Sequence, residues 1–218
     1  MSKEKSKIET FIESNIKVIG GVFVILIVFA ALVVTAGSLN KKATEKGISA
    51  LDKIDFEFRN EGAGISESDL VVRQDKALEA LEELTVKSGI VGVRANMLKA
   101  DILFQKKDYE ASRSAWVKAG DAKKSVYTAP ICYFNAAVCS ENLGDNDSAI
   151  SYYSKAIKSE DFLLIDHAYF NLGRVNEAAG KTDDAVAAYE KISDLHPTSR
   201  FAAVAKSRVI AIKAAKSE

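Results

Sequence analysis

The chain has 218 residues, with 30 basic and 30 acidic side chains, 48% hydrophobic residues, two prolines and two cysteines. This balance excludes a polybasic nucleic-acid binder, a disulfide framework and a disordered tail. Scarce proline leaves few forced helix stops, and the abundance of Ala, Lys, Glu, Leu and Ile predicts a mostly α-helical protein.

Residues 1–17 form a short tail of mixed charge. Val18 to Gly37 follow without a single charged residue, and 16 of these 20 are hydrophobic. At about 1.5 Å of rise per residue, a helix of that length matches the roughly 30 Å hydrocarbon thickness of a bilayer. It reads as one transmembrane helix, because a buried core helix would carry polar residues on some face. Val34-Thr35-Ala36 has the small-x-small look of a signal cleavage site. Against cleavage, the apolar run exceeds that of a secretory signal and its leader is long and mixed in charge, so an uncleaved anchor is expected. Lys3, Lys5, Lys7 and Lys17 before the span and Lys41, Lys42 and Lys46 after it hardly choose a side. A short tail ahead of a large domain has the layout of a signal-anchor, placing the tail in the cytoplasm and the domain outside.

Residues 44–218 repeat. The clearest unit runs from Asp166 to Pro197, with Tyr169, Leu172, Gly173 and Asn176 before Gly180, and Ala185, Tyr189, Ile192 and Pro197 after it. A second unit, 130–161, has Tyr133, Ala136 and Ala137 before Gly144, then Ala149, Tyr153 and Ala156. Pro130 there suits a first helical turn. A third, weaker unit over 93–120 has Ala100 and Leu103, then Ser112, Trp116 and Ala119, with Lys99 where an inward residue is usual. Upstream only a second half is recognisable, Asp69 to Lys87 with Ala77, Leu81 and Leu84; its partner is expected around Thr44 to Phe58, across a loop containing Gly62 and Gly64. Aligned on Ala77, Ser112, Ala149 and Ala185, the spacings are 35, 37 and 36 residues. A closing helix is expected over 198–215, with Thr198 or Ser199 capping its free donors.

These offsets resemble the tetratricopeptide repeat, a helix-turn-helix of about 34 residues with small residues where paired helices touch. The unit 166–197 resembles it at nearly every diagnostic position, with Asn176 in place of the usual tyrosine. The resemblance implies an all-α solenoid in which neighbouring units supply one another's core, and Tyr133, Tyr153, Trp116, Tyr169 and Tyr189 are expected to fill it.

No catalytic or metal-binding motif is present, so no enzyme, cofactor or metal site is expected. His167 lies at the start of a repeat helix and His196 precedes a proline. Cys132 and Cys139, seven apart on one helix, are too far apart for a disulfide and are expected to pack as small apolar groups. Acid pairs such as Glu82-Glu83 and Asp183-Asp184 read as solvated helix residues.

Binding remains. In the repeat family the first helices line a concave groove for a peptide. By position that groove presents Met97, Asp101 and Phe104, then Phe134, Val138 and Glu141, then His167, Phe170, Arg174 and Glu177. Family members that clamp an acidic chaperone tail need a set of Lys, Arg and Asn. Asn135 and Asn171 fit, but Met97, Asp101 and His167 stand where two lysines and an asparagine are required. An apolar or amphipathic segment suits this groove better, while Phe134 and Phe170 could equally pack against neighbouring helices.

Residues 1–43 carry six basic and three acidic groups, and residues 44–218 carry 24 and 27. The last helix is locally basic through Arg200, Lys206, Arg208, Lys213 and Lys216, with Glu218 opposed; it reads as a solvated cap, and no nucleic-acid partner is expected. The layout resembles the bacterial inner-membrane tetratricopeptide proteins that accompany the secretion translocon. That resemblance implies a single-pass protein with a periplasmic repeat domain linking the translocon to chaperones. An envelope-assembly or division scaffold and a cytosol-facing receptor stay open alternatives.

Overall fold

The computed structural model describes residues 7–60, 66–122 and 128–217. Lys3, Lys5, Gly62, Gly64 and Glu218, named above, lie outside them. Among the described residues there are nine α-helices and no strand: α1 Lys7–Arg59, α2 Glu67–Thr85, α3 Gly89–Gln105, α4 Tyr109–Ala122, α5 Thr128–Asn142, α6 Asn146–Ala156, α7 Ile165–Ala178, α8 Thr182–Leu195 and α9 Ala202–Ala215. The chain divides into two compact units, 1–48 and 49–218.

The first unit is one helix. The sequence separates a tail, a span and a later helix near Thr44, whereas α1 continues through all three. No proline interrupts it, and i,i+4 pairs such as Lys41–Glu45 at 4.0 Å fall on its polar stretch. Its apolar stretch is long enough to cross a membrane, and its most apolar part is not buried. Side chains are exposed all round it, from Val22 and Phe23 to Leu32 and Val33. The one hydroxyl there, Thr35 Oγ1, donates to the Ala31 carbonyl at 2.9 Å and so needs no outside partner.

From α2 to α9 the helices pack chiefly on their neighbours in sequence. Small residues make this possible. Ala77, Ser112, Ala149 and Ala185, the four positions aligned above, are all buried on second helices. Facing them, Ala100, Ala137 and Gly173 are buried on first helices. A Cβ on Gly173 would come within 2.6 Å of the Tyr189 ring, which rests against that glycine's backbone. The core is a succession of four clusters. Leu51, Phe58, Leu81 and Ile102 begin it; Val93, Trp116 and Cys139 follow; then Phe134, Tyr153 and Leu172; then Tyr189, Ile192 and Val209. Both cysteines are fully buried, and Cys139 Sγ donates to Ser112 Oγ at 3.3 Å. Burial pushes the Cys132 thiol up to about 12.

The end of α1 serves as the first helix of the first repeat. Its Asp52 and Arg59 pair with α3 residues 42 positions on, Arg94 and Asp101, both at 2.9 Å. A cleft of about 350 Å³ lies between the end of α1 and α2, bordered by Phe58, Ile54 and Ala77.

The turns inside the repeats share one backbone form. Asp108, Asp145 and Lys181 donate their N–H to the carbonyls of Leu103, Ser140 and Asn176, at 2.9, 2.9 and 2.8 Å. The residue before each has a positive φ: Lys107 (62°), Gly144 (73°) and Gly180 (73°). At the far end, Ser199 Oγ accepts the Phe201 N–H at 3.1 Å and donates to Asp166. It therefore fixes the turn ahead of α9, whereas the sequence expects it to cap the helix itself.

Candidate functional site

The first helices α3, α5 and α7, with the end of α1 and with α9, share one row of side chains. Helical register repeats each position about every 36 residues, so the row is read as equivalent residues from successive helices.

Two of its charged positions build the same arrangement twice. Tyr153 Oη donates to Glu141 at 2.5 Å, and Glu141 also accepts from Arg174 of the next first helix. One repeat later, Tyr189 Oη donates to Glu177 at 3.2 Å, and Glu177 accepts from Arg208 of α9. Each glutamate thus ties its own repeat's tyrosine to the following repeat's arginine. Burial and the adjacent carboxylate push the Tyr189 hydroxyl up to about 12 and that of Tyr153 further up, so both stay donors at ordinary pH. Asn171 Nδ2 donates to Tyr153 Oη at 3.1 Å and is buried there, which withdraws it from any clamp for an acidic tail.

An aromatic run lies beside these pairs. Phe134, His167 and Phe201 follow one another with ring centroids 5.1 and 4.9 Å apart, and Phe201 also stacks on Phe170 at 5.0 Å. Phe134 is only 6% exposed and meets Tyr153 and Phe162 edge-on. It packs mainly into the repeat core, while Phe170 is half-buried. Burial, then the nearby Arg200, lowers the pKa of His167 and favours its neutral form.

At the other end, Met97 and Asp101 border a cleft of about 210 Å³ with Leu51, Arg59, Arg94 and Trp116. Phe170, Arg174 and Glu177 border a second, of about 450 Å³, with Tyr189 and Arg208. Between the clefts lie Phe104, edge-on to Tyr109 at 5.2 Å, Ile131 and Val138. These three are half-buried and uncharged. The expected residues therefore include charged positions, Asp101, Glu141, Arg174 and Glu177, each already paired within the chain, and apolar Phe104 and Val138 beside them.

Several contributors escaped the sequence. Arg94 and Ile131 precede Met97 and Phe134 by three residues, as His167 precedes Phe170, so register alone would have found them. Arg59 precedes a connection longer than those of the later repeats, so their spacing does not reach it. Phe201 lies in a turn, outside any helical pattern. Among the described residues no group of three or more His, Cys, Asp or Glu could hold a metal ion.

A tetratricopeptide repeat family model matches residues 73–125 and 141–200. A TPR repeat-containing protein of Treponema pallidum (strain Nichols) is 34% identical over 156 residues, covering 70% of this chain and 65% of its own length. The chain thus spans just under two thirds of that relative. Among solved structures, the crystal structure of MamA is 17% identical with a TM-score of 0.49, covering 65% of this chain and 81% of that one.

Proposed function

The chain belongs to the tetratricopeptide repeat family, and from that premise we propose that it is a single-pass membrane protein that recruits other proteins along the row of first helices. Proteins of this family act as protein–protein interaction scaffolds. The observation that carries the reading is the division of the row. Arg59, Arg94, Asp101, Glu141, Arg174 and Glu177 are all paired within the chain. Met97, Phe104, Ile131 and Val138 between them have no polar partner to satisfy. An incoming segment gains most by covering that apolar stretch, since breaking an existing pair would leave a charge to be resolvated. An apolar or amphipathic helix is the ligand this chemistry favours.

The span at 18–37 holds the row at a membrane surface and raises its effective concentration near membrane-bound partners. With the tail in the cytoplasm and the repeats outside, the protein links the secretion translocon to periplasmic chaperones. Crosslinking in native membranes, followed by identification of the adducts, tests this assignment. Translocon components and chaperones are expected; recovery of neither defeats the translocon version, and recovery of envelope-assembly or division proteins supports that alternative instead. Protease added to spheroplasts tests the topology: the repeat domain is expected to be cleaved while the membrane is intact.

A further inference from the structure

A repeat helix needs a polar face on any side that no neighbour covers. Helix α9 leaves one side uncovered among the described residues, and that side is not polar. Ala205, Val209 and Ile212 are buried against α8. The opposite side is Ala203, Val204, Ser207, Ile210, Ala211 and Ala214, with Val204 49% and Ile210 61% exposed. The helix has three basic residues and no acidic one. Arg208 and Lys213 are engaged by Glu177 and Glu190, whereas Lys206 has no carboxylate partner among the described residues.

The first end is the complement. Helix α2 has six acidic and two basic residues. Val72 (66% exposed), Glu79 and Glu83 lie on the side away from buried Ala77 and Leu81, at i, i+7 and i+11. Glu79, Glu82 and Glu83 are exposed and have no cationic partner among the described residues. Phe56, 65% exposed at the end of α1, rims the adjoining cleft. Each end thus offers exposed apolar side chains, and the two carry opposite charge.

We propose that copies of this chain associate head to tail, the outer face of α9 in one copy seating on α2 and the end of α1 of the next. Val204 and Ile210 cover Val72 and Phe56, and Lys206 approaches the Glu79–Glu83 side. Because the joined surfaces differ, the contact leaves one free end of each kind and adds further copies. Like charges oppose the two symmetric pairings least well suited, α2 on α2 above all.

Sedimentation velocity on the full chain in detergent tests this. The native chain is expected to grow past the dimer as concentration rises. Ile210→Asp alone, and Glu79→Lys with Glu83→Lys alone, are each expected to weaken association tenfold or more while leaving helicity unchanged by circular dichroism. All three positions are exposed, so folding is preserved. A mixture of the two variants retains one native α9 and one native α2, and is expected to form dimers and stop there. A native chain that stays monomeric overturns the proposal. So does association that survives either variant, as a contact through the span or through paired α9 faces would.

Discussion

The turn residue Lys107 shows how a repeat tolerates a poor choice. Its φ of 62° matches the glycines at 144 and 180, and a side chain in that region costs about 1–2 kcal/mol. Lys107→Gly is expected to stabilise the fold by about 0.5–1 kcal/mol after the entropy that glycine adds to the unfolded chain, measured by urea unfolding. Gly173 is the reverse case. Alanine there puts a methyl group into the Tyr189 ring, and a loss of about 1–3 kcal/mol is expected in the same assay. Asn176 was legible in the sequence as a departure from the repeat pattern. The structure adds the consequence: it is buried, and its Oδ1 finds no partner among the described residues. His167 gives a pH dependence. Its folded pKa is lowered, so the unfolded chain binds the proton more readily. This contribution is complete above the ordinary imidazole value of about 6.5 and is lost as pH falls below it. His167→Phe keeps a ring in the stack and is expected to flatten the decline between about pH 7 and 5; an unchanged profile would assign the decline elsewhere.

Elements were legible where the period was strong. Helices α3 to α8 follow from small residues at fixed offsets and from apolar faces, because helix contacts are local and each repeat obeys the same register. Boundaries in α1 were not legible. An apolar stretch and a polar helix joined without a stop signal read as separate segments by composition, yet the backbone needs no break between them. The first repeat hid its spacing because seven residues separate α1 from α2 where later repeats have three. Phe58, with Leu51, ties the end of α1 to helices α2 and α3. Phe58→Ala is expected to cost about 3–5 kcal/mol, with amide exchange faster in 49–59 and 67–85 than in α5 to α8. Uniform loss of protection along the array would contradict this account of the first repeat. The carboxylate–cation pairs between repeats, such as Lys181–Asp147 at 2.7 Å and Lys216–Asp183 at 2.5 Å, lie on exposed side chains. They set register more than stability, at roughly 0–1 kcal/mol each.

At the scale of the whole molecule, balanced charge proves to be the sum of unlike parts: an uncharged apolar stretch, an acidic first repeat and a basic last helix. The candidate row was legible in position, since repeat offsets name its residues. Its internal pairing was not, because Glu141 and Arg174 are 33 residues apart and meet only when adjacent first helices stack. That pairing moves the expected ligand contact away from the charged positions and onto the apolar ones beside them. The most direct measurement places a photo-crosslinking side chain at Val138, and separately at exposed Ala187 on α8, in the full chain within native membranes. Defined partner adducts from position 138, absent from position 187, are the result this account predicts. Adducts from 187 and none from 138 would contradict it.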